Sequence, residues 1–216
     1  MIERHESVVS TQEVARARAE AGAPSGFVVV AEQQTGGRGR RGRVWESVPG
    51  ENLYLTVILR PDCLPREAPL LTLGAAAALA EALDVRVKWP NDLVDADGRK
   101  LGGLLAEMET QGDAIRYVLL GLGLNVNQTV FPGLPNATSL TTLRRAAQER
   151  EALLTDVVAT LRAPLPGLDL WRSRSHTLGR QVRVLGTSLM EGVATGIRDD
   201  GALLVNGHPV TTGEVE

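Results

Sequence analysis

"KLGGLLAEMETQGDAIRYVLLGLGLNVN", residues 100–127, contains two apolar-rich runs separated by Gln111-Gly112-Asp113. A Gly-Asp pair between two such runs is a reversal signal, so the stretch reads as a hairpin of two long strands. The sheet that contains it is therefore at least partly antiparallel, which sets the chain apart from a purely doubly wound parallel fold.

The neighbouring segments extend this picture. Upstream, "VRVKW" is a short strand stopped by Pro90, and "DADG" is a turn leading into the hairpin. Before it, "REAPLLTLGAAAALAEAL" is Ala/Leu-rich and broken only by Gly74, which predicts a buried helix. "FVVVAEQ" from Phe27 reads as a buried strand, and "NLYLTVILR" alternates as a second strand ended by Pro61. Ser10 and Glu13 have capping-box spacing, and Val14, Ala17 and Ala21 recur on one face until Gly22 and Pro24, so a helix starts at Ser10 or Thr11. Taking Phe27 as the start of the first strand places that strand about 26 residues into the chain. Downstream, "EREALLTDVVATLRA" is helical up to Pro164, and "PLPGLDLW" reads as a connector. From Leu178 the chain changes to short strands separated by glycine turns. The expected organisation is an α+β unit over residues 1–174 and a small all-β, barrel-like unit over 178–216, with no internal repeat.

Composition narrows the function classes. The 216 residues are 43% hydrophobic, enough for a sizeable core, and 23 basic against 26 acidic side chains leave a net charge of -3. That balance argues against a general nucleic-acid binder with a basic surface. Cys63 is the single cysteine, so no internal disulfide forms, and the start "MIERHESVV" has no apolar signal-peptide core. No run reaches the roughly 18 apolar residues of a membrane span. These features point to a soluble cytoplasmic protein. His5, His176 and His208 are scattered without metal-ligand spacing. Only two of the 23 basic residues are lysine, Lys88 and Lys100, and both lie in "VKWPNDLVDADGRKLGG". Either a strong arginine bias left two survivors, or these positions need a point-charge ammonium that a planar guanidinium does not replace.

"GGRGRRGRVW", residues 36–45, packs four arginines and four glycines into ten positions. Glycine raises the entropy cost of order and clustered guanidinium groups repel, so an anion is expected to order the segment. Gly37, Gly39 and Gly42 fit G-x-G-x-x-G, but Pro49 and Gly50 arrive where a dinucleotide site needs a helix. The spacing also approaches a phosphate-binding P-loop, yet Arg43 and Val44 stand where Lys and Ser/Thr belong. A flexible RNA-binding segment would need interleaved aromatics, and only Trp45 is present. Two readings remain: a solvated basic turn, or a mobile loop that closes over a small anionic ligand through charge-assisted hydrogen bonds.

"AEQQTGGRGRRGRVW", "NLYLT", "KWPNDL", "RKLGGLLAE" and "GLGLNVN", in that order, with "STQ" before them and "TLGRQVRV...GVATGIRDDGALLV" after, resemble the biotin protein ligases across nearly the whole chain. The resemblance implies a mixed, largely antiparallel sheet flanked by helices, of the class II aminoacyl-tRNA synthetase-like kind, plus a C-terminal SH3-like β-barrel. It implies ATP, biotin and magnesium: biotin is activated to biotinyl-5'-AMP with release of pyrophosphate, then passed to a lysine of a biotin carboxyl carrier domain. Magnesium would be held mainly through ATP phosphates. The match lacks the DNA-binding segment that some members carry, so it implies a monofunctional ligase that binds no DNA and no membrane, and it is compatible with a homodimer.

By the same resemblance, Lys100, Arg40 and Asp92 carry the chemistry. A carboxylate is too weak a base to strip an ammonium at neutral pH, so Asp92 is expected to orient the incoming amine or help place magnesium. Biotin is expected on Ser10, Thr11, Gln12, Gln34, Arg38, Gly39, Arg40, Lys100, Gly102 and Gly103, and ATP on Arg38, Arg40, Arg41, Arg43, Trp45, Asn91, Lys100 and Asn125. For Ser10 the alternative is a plain helix cap, for Gln34 an ordinary strand-end polar residue, and for the glycines a bulge. Trp89 and Pro90 are equally readable as packing. Gln12 stands where Asn is usual, and Thr35-Gly36 replaces a Gln-Ala pair. The loop is expected to be ordered by ligand anions and not by protein contacts, closing over the adenylate and shielding it from water. The barrel-like unit offers no residue for chemistry. The rival readings are a lipoate or octanoate ligase or transferase of the same fold, and a nucleic-acid module built on the Arg loop.

Overall fold

The computed structural model describes residues 1–186 and 189–216. The 100–127 hairpin is present as β6 (Lys100–Gln111) and β7 (Ala114–Leu124). It forms the middle of a seven-stranded sheet with β1 (Ile2–Val8), β2 (Val28–Gln34), β3 (Leu53–Leu59), β4 (Arg86–Lys88) and β5 (Asp92–Val94), in the order β1-β2-β3-β7-β6-β5-β4. All neighbours are antiparallel except β1 and β2.

β1 departs from the expectation that the first strand lies at Phe27. It pairs in parallel with β2 from Ile2↔Val28 to Val8↔Gln34. Its sequence, "IERHESV", carries charge on both faces of an edge strand, so no apolar alternation marks it. Its hydrogen bonds to the buried β2 and a two-point contact from Arg18 to Glu3 (2.6 and 2.7 Å) hold it instead.

Helices cover both faces. α1 (Thr11–Glu20) starts where expected, with the Ser10 hydroxyl accepting from the Gln12 N–H at 3.3 Å. Its buried face is Thr11, Gln12, Ala15 and Ala19, not the Val14/Ala17/Ala21 row, because Ala15 and Ala19 pack on Val29, Ile58, Tyr117 and Leu119. On the opposite face lie α2 (Ala68–Leu83), α4 (Arg150–Arg162) and α5 (Leu168–Arg174), with the single-turn α3 (Leu140–Arg144) between α2 and α4 in the chain. α5 occupies the stretch read as a connector; at seven residues it is too short for a periodic signal, and its fully buried Trp171 anchors it. Gly74 lets α2 meet that connection closely, since a Cβ there would stand 2.8 Å from the Pro166 carbonyl oxygen.

The C-terminal segment forms β8 (Gln181–Leu185), β9 (Leu189–Ile197), β10 (Leu203–Val205), β11 (His208–Val210) and β12 (Glu214–Val215), in the order β11-β10-β9-β8-β12. It is an open five-stranded sheet: among the described residues the expected barrel does not close, as β11 and β12 remain its two unpaired edges. Its inner residues Val182, Val184, Ala194 and Leu203 join the apolar cluster that runs under α2 and α4.

Candidate functional site

The site follows from glycine placement on β6 and β7. Side chains two apart on a strand share a face, so Tyr117, Leu119, Gly121 and Gly123 lie in one row; Ala15 and Ala19 of α1 pack on the first two, and its first turn reaches Gly121. α1 ends its coverage at Gln12: a Cβ on Gly121 would be 2.6 Å from the Gln12 amide nitrogen. Beyond it, Gly123 pairs with Gly103 across the hairpin, and a Cβ on Gly123 would strike the Trp45 indole. A cavity of about 440 Å³ opens over this glycine floor.

One end of the cavity is neutral and polar. The Thr11 N–H and hydroxyl both donate to Gln34 Oε1, at 2.9 and 3.1 Å, and the Thr11 and Thr56 hydroxyls are 2.9 Å apart. Gln12 is 4% exposed and donates through Nε2 to the Leu105 carbonyl at 2.8 Å, while its Oε1 has no hydrogen-bond partner among the described residues. A buried acceptor left unpaired costs about 1–3 kcal/mol.

The other end is cationic. Lys100 Nζ lies 2.7 Å from Asp92 Oδ1 and 5.6 Å from the centroid of the Trp45 ring. A Cβ on Gly103 would be 3.2 Å from Asp92 Oδ1 and 3.5 Å from Lys100 Nζ, so glycine there leaves room for the pair. Arg40 donates to Asn91 Oδ1 at 3.3 Å and to the Gly213 carbonyl at 3.1 Å. Burial pushes the Arg40 pKa below its usual value and neighbouring Arg41 and Arg43 act the same way, while Asp92 opposes them. A desolvated guanidinium crowded by like charge gains most when an anion arrives. Asn91 is fixed by donating to the Leu104 carbonyl at 2.6 Å, and Asn125 by donating to the Thr138 carbonyl at 3.0 Å.

Of the residues expected to bind ligand, Ser10, Thr11, Gln12, Gln34, Arg38, Gly39, Arg40, Arg43, Trp45, Asn91, Asp92, Lys100, Gly103 and Asn125 line this one cavity. Arg41 and Gly102 do not. Arg41 turns away and donates to the Leu185 carbonyl at 2.7 Å. Gly102 serves close strand packing, since a Cβ there would stand 2.7 Å from the Gly123 carbonyl oxygen. Gly121, Gly123 and Glu214 are lining residues that sequence reasoning passed over. The alternation Gly-Leu-Gly-Leu in "GLGLNVN" was the available signal, because it leaves one strand face without side chains. The Arg/Gly segment also differs from expectation. Each of its arginines has a protein partner: Arg38 with Glu107 at 3.6 Å, Arg40 with Asn91 and Gly213, Arg41 with Leu185, and Arg43 with Glu214. A bridge between Arg38 and Val44 and an N–H···O bond from Trp45 to Gly37 at 2.9 Å close it into a compact flap.

Comparison with known proteins gives the family. Residues 5–125 match the model of the biotin/lipoate A/B protein ligase family. The bifunctional ligase/repressor BirA of Bacillus subtilis is 34% identical over 93% of this chain and 68% of its own length. The biotin–[acetyl-CoA-carboxylase] ligase of Mycobacterium tuberculosis is 36% identical over 88% of this chain and 77% of its own. The biotin protein ligase of Aquifex aeolicus, solved in complex with biotin and ATP, superposes with a TM-score of 0.76 at 27% identity, covering 100% of this chain and 97% of that one. With a family match across more than half of its length and relatives this similar, the chain belongs to the biotin/lipoate A/B protein ligase family.

Proposed function

We propose that the protein is an ATP-dependent biotin ligase that forms biotinyl-5'-AMP and then transfers biotin to a lysine of a carboxyl carrier domain. The observation that carries this is the division of one cavity into a neutral amide and hydroxyl end and a cationic end, with Lys100 and Trp45 at the latter. A ureido ring supplies N–H donors and a carbonyl acceptor that match Gln12 Oε1, Thr11 and Gln34. A dithiolane ring supplies no N–H, so lipoate leaves the buried Gln12 acceptor unpaired.

In the first step a biotin carboxylate oxygen attacks the α-phosphorus of ATP, the bond to the bridging oxygen breaks, and pyrophosphate leaves with the electron pair. Two anions must meet and further negative charge builds on the α-phosphate, so fixed cations are the main catalytic tool. Lys100 and Arg40 bear on that charge, with Arg38 and Arg43 contributing from the flap. The Lys100 ammonium has three donors and Asp92 engages one oxygen's worth of them, which leaves capacity for ligand oxygens. Trp45 and Asn125 form the wall on which the adenine rests. In the second step the neutral acceptor ε-amine attacks the acyl carbon, the bond from that carbon to the phosphate oxygen breaks, AMP leaves with the electron pair, and the proton lost from the nitrogen goes to solvent; Asp92 orients that amine.

Magnesium, where bound, would supply charge neutralisation to the triphosphate. Among the described residues no cluster of three or more His, Cys, Asp or Glu side chains could hold a metal, and Asp92 and Glu214 line the cavity but are each engaged by a cation, so Asp92, beside Lys100, is the residue that would help place the ion.

Incubation with ATP, magnesium and either biotin or lipoate, followed by mass spectrometry, tests the proposal. Biotinyl-AMP in the first tube and no lipoyl-AMP in the second is the expected result; lipoyl-AMP alone overturns it.

A further inference from the structure

Glu214 poses a problem for an anion-binding cavity. It is a carboxylate on the wall of a site that we propose takes a carboxylate and a triphosphate, and by charge alone it repels both. It belongs to β12, the last strand of the C-terminal sheet, and its carboxylate meets the Arg43 guanidinium on the flap. Two more flap arginines reach the same edge of that sheet: Arg40 donates to the Gly213 carbonyl at 3.1 Å and Arg41 to the Leu185 carbonyl at 2.7 Å. Leu185 and Glu214 are register partners between β8 and β12, so the three contacts converge on one rung of the C-terminal sheet.

We infer that Glu214 is a positioning residue for the flap: the β8/β12 edge is the plate against which residues 36–45 close, and Glu214 is its charged catch. Gly213 supports the arrangement. Its φ of 151° suits glycine, and a Cβ there would stand 2.7 Å from Val184 Cγ1. The chain can therefore turn into β12 and still present the Gly213 carbonyl to Arg40. With Arg43 held by Glu214, the flap's mutual repulsion falls before any ligand anion is present, and Arg38 and Arg40 stay over the cavity. Glu214 touches no reacting atom here; it acts through Arg43. The catch gives the C-terminal sheet a task in retaining the intermediate, and it rests on the adenylate reading only for what is retained.

The pair is only partly buried, with side-chain exposures of 61% for Arg43 and 22% for Glu214, so its loss should cost a modest factor. The test compares wild type, E214Q, E214R and the charge exchange R43E/E214R. First, hydrogen exchange of residues 36–45 is measured without ligand. Expected are about fivefold faster exchange in E214Q, more in E214R, and recovery toward wild type in the exchanged pair. Exchange in β8 and β9 should not change. Second, release of biotinyl-AMP from the preformed complex is timed; E214Q should release it about fivefold faster. Wild-type flap exchange in E214Q, no recovery in the exchanged pair, or a rise in β8 and β9 that accounts for the flap's change overturns the inference. Absence of any adenylate from the wild-type protein overturns the proposed function instead, and the first measurement still decides the catch.

Discussion

Lys100 and Asp92 form a 2.7 Å ion pair between the first residue of β6 and the first residue of β5, directly beside the ring of Trp45. Strand pairing fixes the geometry: Asp92 is in register with Gly103, and Lys100 also bonds through its N–H to the Asn136 carbonyl at 2.6 Å. The Lys100 backbone is thus held by its strand neighbours, and its ammonium by the Asp92 carboxylate. Lys100→Ala is expected to abolish adenylate formation, by a factor of about 10² or more, with the fold intact because the side chain is partly exposed. Lys100→Arg should recover little, since a planar fork does not reproduce a point charge beside both Asp92 and an indole. Pyrophosphate release and a thermal melt check both; a Lys100→Ala variant that releases pyrophosphate at the wild-type rate refutes the role.

The glycine floor makes a second prediction. Gly123→Ala introduces a Cβ into the Trp45 indole, which must move. The KM for ATP should rise about tenfold or more, with a smaller change in biotin affinity, because Trp45 stands at the cationic end of the cavity. Steady-state kinetics varying each substrate in turn would separate the two. An equal loss for both substrates would mean that the floor is a general packing element.

The hairpin and the buried helix were legible because each has a strong period or a reversal signal, and the loop because four arginines among four glycines mark an anion site. β1 was hidden, since an edge strand such as "IERHESV" is held by its partner's backbone and carries no apolar alternation of its own. α1 was legible in extent but not in orientation: Ala17 and Ala15 have nearly the same propensity, and only the docked sheet decides that Ala15 faces inward. Apart from Arg41 and Gly102, the site residues named through motifs converge on one cavity, whereas Glu214 was invisible. A lone glutamate near the chain's end gains meaning only when β12 is folded against β8 beside the flap.

His176 gives the fold a pH dependence separate from the site. Burial pushes its pKa below the usual 6.5, and Arg180, Lys88 and Arg86 add to this, against Asp95. The unfolded chain therefore takes up this proton more readily than the folded one, so the contribution is neutral well above pH 6.5 and destabilising as pH falls below it, levelling off beneath the folded value. Denaturant titrations of wild type and His176→Gln should diverge below pH 6.5, with the wild type losing more stability. Parallel curves down to pH 5 would remove His176 from the account.

Gln12 offers the sharpest test of ligand choice. Its amide nitrogen is committed to the Leu105 carbonyl and its Oε1 is buried and unpaired, so replacing the amide should change what the neutral end of the cavity prefers. Gln12→Met keeps the length of the side chain, removes the acceptor, and frees the Leu105 carbonyl. Loss of one buried hydrogen bond to a ligand N–H corresponds to about tenfold weaker biotin binding. A ligand without ring N–H groups should bind no worse to the variant, and gains if its ring can use the apolar methionine. Calorimetry with biotin and with lipoate on both proteins reads the four affinities directly. If biotin affinity falls while lipoate affinity holds or rises, the unpaired oxygen is a selector; if both fall together, Gln12 only shapes the wall over Gly121.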